Sequence, residues 1–573
     1  MKSLRVLCVL FGLIPSGLAL NREAFTISKY DLNLQLEPAQ HRLGARGRIT
    51  LRNDSSQPQK IAVLQISSSL AWRSIKIAGK PVQFVSQPYV SDIDHTAALA
   101  EAIVTLPAEI KPKEAVEIEI GYEGTVGVDA TRLTQIGVPD DIARHTSWDQ
   151  ISPAFTAVRG AGYVAWYPIA TEAADFSEGN SMFQVADRWR AREAEAEMAL
   201  HFCAAGSTSP PVLMGDKAPS VRRQSRAATD HPASSQSCSE YRFEPLGSVT
   251  PLFVMADYRH DTADNSPNSG IYFLADHAAG ARIFSQSIKD AIPFVTAWFG
   301  APAGATIVAD LRDARGAPFE SGVLLLVPLA APDESLTALN AVHQQVHAAF
   351  SSPRPWIQEG LAHFAEALYR EQVQDGRSSA IDFLHVHRTA FVDAEQDVAA
   401  GKSPGQPLAT TYDESYYRSK AACVWWMLRD MIGDEALKGV IHAYRAAEDK
   451  DSRYVEQLVS AAAQRDLGWF FDDWVYHDRG LPDLRVAAAH SQKTGRDTEI
   501  VAVTIANQGN TGAEVPFTVR FATGEVTRRI EVRAQSTATT RVEVPGTPTE
   551  VVVNDGSVPE SDLTNNVLKV SEP

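Results

Sequence analysis

Residues 341–369 read AVHQQVHAAFSSPRPWIQEGLAHFAEALY, and this stretch decides how the chain is understood. His343 and His347 stand four apart in a helical segment, so both rings leave the same face. The cluster Ser351-Ser352-Pro353-Arg354-Pro355 breaks that helix. A second helix is predicted to start near Trp356. It carries Glu359, His363 and Glu366 at spacings of four and three, again on one face. Two imidazoles from one helix and a carboxylate from the next make a three-ligand zinc site with an open fourth position. A water held there would be polarised and made more acidic. Two histidines at this spacing also occur by chance in long helices. The following Trp-x-x-Glu-Gly-Leu-Ala makes the pair a metal candidate, because it supplies a hard anionic ligand at a helix start. His363 reads more readily as a core histidine than as a ligand.

Outward from this stretch the hydrophobic period changes twice. Before it, over residues 25–257, the period is two: Tyr30, Leu32, Leu34 and Leu36 alternate with polar residues, as do Val116, Ile118 and Ile120. That predicts a β-rich domain with one buried face. Helical signals occupy 283–299 and continue from 335 to about 477, with a strand-like run at 322–329. From about 487 the period is two again (Val501, Val503, Ile505; Phe517, Val519, Phe521; Val542, Val544), which predicts a small antiparallel β-sandwich.

The first residues have the features of an export signal. Lys2 and Arg5 precede an apolar stretch at 6–20, and Gly17-Leu18-Ala19 offers small residues for a signal peptidase. The stretch is short for a bilayer span. The expectation is an exported protein, periplasmic or secreted, without stable membrane insertion once the signal is removed. In such a compartment Cys203 and Cys238 are the natural pair. Each adjoins a strand-like run, and between them 207–237 is Ser-, Pro- and Ala-rich, which reads as a mobile insertion pinned at its base. Two unpaired buried thiols are the alternative. Cys423 reads as a small apolar residue of a helix. With 53 Lys and Arg against 70 Asp and Glu, the formal charge is −17, which argues against nucleic acid or an anionic membrane as the main partner.

With these residues in view, the chain resembles the gluzincin zinc metallopeptidases of the aminopeptidase N type. Their pattern is His-Glu-x-x-His, a helix–loop–helix, then Glu-Gly-x-Ala after a tryptophan. The resemblance implies one Zn2+ per chain on His343, His347 and Glu359, and a peptide or protein substrate. It makes Glu366 a carboxylate supporting the ligands. The family's usual spacing of eighteen residues would instead land on Glu366; here Glu359 follows His347 after eleven, and the Trp-x-x-Glu-Gly context favours it.

Other segments are similar too. Residues 159–176, with Ala165-Trp166-Tyr167-Pro168, resemble the segment that ends the family's first sheets. Gly316-Ala317-Pro318-Phe319-Glu320-Ser321-Gly322 resembles its Gly-x-Met-Glu-Asn substrate strand, without the Met and Asn. The likeness gives Gly316, Ala317 and Glu320 a substrate-binding role, Glu320 toward a free α-amine. Tyr416-Tyr417-Arg418-Ser419-Lys420 resembles a Tyr-x-Lys helix start whose tyrosine stabilises the oxyanion. One extra residue separates Tyr417 from Lys420, so Tyr417 is favoured and Tyr416 is the alternative. Residues 469–475 and Gly480-Leu481-Pro482 resemble the end of the catalytic domain. The implied architecture is multidomain: signal peptide 1–19, N-terminal β domain 20–262, thermolysin-like α+β catalytic domain 263–485, and C-terminal β-sandwich 486–573.

One position departs from the pattern. The residue after His343 should be the glutamate that takes a proton from the zinc water, and here it is Gln344. An amide cannot become a carboxylate, and loss of a positioned base costs typically ~10²–10⁴-fold. Gln345 offers no rescue. Zinc binding does not need the base. Two readings therefore stand: a working peptidase that uses another base, such as Glu366 or Glu320 through water, or a zinc-binding pseudo-peptidase that acts as a peptide-binding or scaffold protein. A third, weaker one has structural helices and no metal.

Overall fold

The computed structural model describes residues 20–170, 189–205, 212–213, 236–247, 249–261, 270–374, 376–401, 405–495 and 498–570. The expected signal segment and most of the 207–237 insertion lie outside the described residues, as does the end of the 159–176 segment. Among the described residues no helix is long and apolar enough to cross a membrane.

The period-two region forms sheets. Strand Phe25–Glu37 buries Tyr30, Leu32, Leu34 and Leu36 and turns the intervening residues outward. It lies inside a seven-stranded sheet, pairing antiparallel with Arg42–Asn53 and parallel with Glu197–Ala205. A three-stranded sheet, Gln59–Ser67, Phe84–Val90 and Ala98–Ile110, closes over the same core. The 165–168 segment runs through that core. Trp166 and Tyr167 are buried, and the carbonyls of Trp166 and Pro168 accept hydrogen bonds from Tyr122 Oη (3.0 Å) and Tyr30 Oη (3.1 Å).

Cys203 and Cys238 face each other across the antiparallel pair Glu197–Ala205 and Gln236–Phe243 and are joined by a disulfide. Cys423 is buried in the helix Ala421–Ile432, and burial pushes its thiol up to about 12. Denatured, unreduced protein lacking residues 1–19 is therefore expected to titrate one thiol, and three after reduction. Three thiols before reduction would rule the bridge out.

The middle region holds a five-stranded mixed sheet in the order Arg259–Asp261, Gly270–Phe273, Ile307–Asp310, Leu324–Val327, Phe319–Ser321. Its first strand begins at Arg259, just ahead of the expected boundary at 263. Helix Ala278–Phe299 follows the second strand, and from Glu334 onward the chain is mainly helical. Among the described residues the last region holds seven strands in two sheets: Leu484–Lys493, Glu499–Asn507 and Ser536–Val544, then Gly524–Val532, Ala513–Phe521, Pro548–Val553 and Val567–Lys569. Their inward valines and Phe517 share one core with the helices, so the β-sandwich is packed directly on the helical region. A smaller core joins the first region to the middle sheet, with Trp148, Phe155 and Val254 against Ile307, Leu324 and Leu326.

Candidate metal centre

Two helices build the centre. The first, Glu334–Ala349, starts at Asp333, whose side chain accepts the Leu336 N–H at 2.9 Å, a regular N-cap. It ends at Phe350, before the proline-rich break. Pro355 then opens the second helix, Pro355–Val373, where its missing N–H costs nothing. The second helix is held close to helix Ala421–Ile432. Trp356 stacks on Trp425 with ring centroids 5.3 Å apart. A Cβ on Gly360 would sit 2.6 Å from the Cβ of Ala421, so glycine permits the approach that sets Glu359 in place.

His343 and His347 turn their Nε2 atoms toward each other, 3.0 Å apart. Glu359 faces both, with carboxylate oxygens 3.7 Å from His343 Nε2 and 3.6 Å from His347 Nε2. Glu320 comes from the edge strand Phe319–Ser321. Its oxygens lie 3.0 Å from His343 Nε2 and 3.5 Å from His347 Nε2. One ligand atom from each of the four lies within 4.8 Å of the others. Bonds of ~2.0–2.2 Å to zinc imply tetrahedral edges of roughly 3.3–3.6 Å, and these separations bracket that range. Glu359 Oε2 is buried without a hydrogen-bond partner. The donor set and its spacing fit a divalent cation such as zinc.

The charges fit as well. Burial opposes ionisation of Glu359, but His347 and the Arg418 guanidinium hold its carboxyl well below the usual range. Burial also opposes ionisation of Glu366, which His363 and His343 keep low. Burial opposes protonation of His343, but Glu320 and Glu366 hold its pKa well above the ordinary imidazole value. Burial lowers the pKa of His347. Glu414, ion-paired with Arg190 at 2.8 Å, completes the surroundings. Glu359 and Glu366 are buried and Glu320 and Glu414 half-buried; against these four carboxylates stand two guanidiniums, Arg190 and Arg418, so the surroundings are acidic.

Around the ligand atoms, Glu366 accepts from both helical faces. Its Oε1 is 3.3 Å from His343 Nδ1 and its Oε2 is 2.7 Å from His363 Nδ1. It supports a ligand from behind, and His363, edge-on to the His343 ring with centroids 4.6 Å apart, buttresses it. Behind His347, the Gln358 amide nitrogen lies 2.5 Å from Nδ1 while its oxygen accepts the Ser352 N–H at 2.7 Å. The Gln358 side chain therefore ties His347 to the break between the two helices.

Gln344 is buried and its side-chain nitrogen donates to Glu320 Oε1; its own Oε1 has no partner. Gln345 points elsewhere, to Thr306 Oγ1 at 3.3 Å. Gly316 and Ala317 lie upstream of the edge strand. Ala317 gives its N–H to the His145 carbonyl and accepts from Trp148 Nε1, both at 2.9 Å, so it anchors the strand to the first region. Neither Gly316 nor Ala317 lines the cleft beside the centre. That cleft, about 170 Å³, is lined by Phe319, Glu320, His343, Gln344, His363 and Arg418 among others, but not by His347 or Glu359.

The tyrosines part company. Ser415–Lys420 is a turn of π-helix, which absorbs one residue more than an α-turn. That accommodates the extra residue between Tyr417 and Lys420. Tyr417 shares its surroundings with Glu414, Arg418, Arg190 and Glu359, whereas Tyr416 sits with Glu395, Asp478 and Lys420. Burial raises both phenols. Sequence reasoning missed Gln358, Arg418 and the Arg190–Glu414 pair. Gln358 and Arg418 stand inside the motifs themselves, the latter as the extra residue. Arg190 carries no local signal.

No family model and no curated protein matches the chain. Among solved structures it is similar to an M1 zinc metallopeptidase from Deinococcus radiodurans, at 16% identity and a TM-score of 0.45, over 80% of this chain and 96% of that one. At that distance the likeness carries no weight for the chemistry, which rests on the residues above.

Proposed function

We propose that the chain is an exported zinc protein of the metallopeptidase type, with one Zn2+ held by His343, His347 and Glu359 and a peptide or protein as its substrate. Hydrolysis near a free N-terminus is slow, roughly 10²–10⁴-fold below a site with its base, because Gln344 stands in that place. The observation that carries this reading is the convergence of two Nε2 atoms and the Glu359 carboxylate in a buried, acidic pocket beside a cleft. Zinc bound there supplies a Lewis acid to a peptide carbonyl. Phe319–Ser321 is an edge strand, paired only with Leu324–Val327 among the described strands, and its outer side suits an extended peptide. Tyr417, whose surroundings include Glu359, is the group we assign to the oxyanion, with Tyr416 the alternative. The signal-like start and the Cys203–Cys238 bridge support export.

A second reading, a zinc-dependent pseudo-peptidase that binds peptides without cleaving them, is favoured by one contact. Gln344 engages Glu320, the carboxylate that would otherwise be free to hold an α-amine or take a proton. Metal analysis of the purified full chain, with turnover of peptide and aminoacyl reporters with and without chelator, decides between them. Stoichiometric zinc with chelator-sensitive turnover supports the first. Zinc without turnover supports the second, and protein that binds no metal overturns both.

A further inference from the structure

We infer that Glu320 is a fourth metal ligand, held in place by Gln344, so that protein groups close the centre at rest. This rests on the metal-binding reading and goes beyond it. A catalytic zinc site keeps one position open, whereas four protein ligands make a closed one. In this chain the Glu320 carboxylate also faces both Nε2 atoms, with one oxygen toward each histidine, at 3.0 and 3.5 Å, and lies with Glu359 in the same four-residue cluster.

Three features hold Glu320 there. Its backbone is in register with Leu325 in the antiparallel pair Phe319–Ser321 and Leu324–Val327. On either side the strand is pinned to the first region. Ala317 is bonded to His145 and Trp148, and Ser321 Oγ donates to the Thr250 carbonyl at 2.8 Å and accepts its N–H at 3.0 Å. The carboxylate itself accepts from Gln344. That contact gives position 344 a chemical reason for its amide. A carboxylate there would face the Glu320 carboxylate at hydrogen-bond distance, and one of the two would have to keep a proton. An amide donates instead. Turned the other way, its oxygen would meet the carboxylate, which is why Gln344 Oε1 stays buried and unpartnered.

The charges divide accordingly. Glu320 and Glu359 neutralise a divalent cation. Glu414 pairs with Arg190, Arg418 stands between Glu414 and Glu359 at 4.0 and 3.6 Å, and Glu366 is held by His343 and His363. A peptide would reach the metal only by displacing Glu320, so the closed centre is inert at rest and retains its metal.

The test uses the full chain, depleted of metal and loaded with Co2+, whose visible spectrum reports coordination. Azide is the probe of an open position. Wild-type protein is expected to keep its spectrum when azide is added. Glu320→Gln is expected to become azide-sensitive and to bind Zn2+ at least ~10–100-fold more weakly in competition with a chromophoric chelator, a loss no smaller than that of a supporting hydrogen bond. Gln344→Met, which removes the donor and leaves all four ligand side chains, gives azide sensitivity with a smaller loss of affinity and serves if Glu320→Gln does not fold. An azide-sensitive wild-type spectrum, or Zn2+ affinity unchanged by Glu320→Gln, overturns the fourth ligand and leaves the functional reading standing. Failure of the wild type to take up Co2+ or Zn2+ overturns that reading and this inference together.

Discussion

Gln344→Glu is expected to create or raise chelator-sensitive peptide hydrolysis by roughly 10²-fold or more, the usual worth of a positioned base. In wild-type protein the 344 side chain is a donor to Glu320. The substitution puts two carboxylates in contact inside a buried pocket, and they share one proton. Once that proton leaves, repulsion replaces the hydrogen bond that holds Glu320 on the metal side, and the fourth position opens to water. Metal content should stay at one per chain, because His343, His347 and Glu359 are untouched. The gain should grow as the pH rises, since the base form appears only when the shared proton leaves. It should also need Tyr417, so that Gln344→Glu combined with Tyr417→Phe loses most of it, while Tyr416→Phe does not. No gain in a variant that folds and binds zinc would favour the non-catalytic reading. A wild-type rate already near that of ordinary peptidases, falling on the change to Glu, would show that another base is used.

The second large effect concerns the metal itself. His343→Ala and His347→Ala are each expected to abolish stoichiometric zinc. Either change leaves the remaining imidazole with only the carboxylates and removes one of the two nitrogen donors that meet at 3.0 Å. Glu359→Gln should lower affinity far more than Glu366→Gln, because Glu359 faces both Nε2 atoms whereas Glu366 reaches only the far nitrogen of His343. For Glu366→Gln a loss of ~10–100-fold is expected. Thermal unfolding gives an independent readout. Zinc at a hundredfold excess over its dissociation constant stabilises the folded state by about 2.7 kcal/mol, so chelator should lower the melting temperature of wild-type protein but not of the histidine variants. Metal content unchanged in both histidine variants would sink the ligand assignment. Greater loss with Glu366→Gln than with Glu359→Gln would show that the eighteen-residue spacing was the better guide.

Much of this molecule is local, and what is local is legible in the chain. The alternation of Tyr30, Leu32, Leu34 and Leu36 specifies which face of a strand is buried, because successive side chains of a strand point to opposite sides. His343 and His347 share a helix face because the helix repeats every 3.6 residues. Pro353 and Pro355 end one helix and start the next because proline lacks the N–H an interior turn requires. Cys203 and Cys238 each adjoin a strand-like run, which makes them the natural pair in an exported chain. These readings depend on spacings of a few residues and on properties each side chain keeps in any context.

Tertiary structure alone decided what occupies the remaining space around the histidines. Glu320 reaches them from a strand in a different layer, and Gln344 becomes its anchor only because that strand is pinned to the first region through Ala317 and Ser321. Arg190 pairs with Glu414 from more than two hundred residues away. The choice between Tyr416 and Tyr417 turns on the π-turn, whose register depends on the helices packed around it. Such contacts are set by packing between elements distant in the chain, and no local period encodes them. The sequence alone therefore determined that two histidines and a glutamate could meet; the fold determined that a second glutamate meets them too.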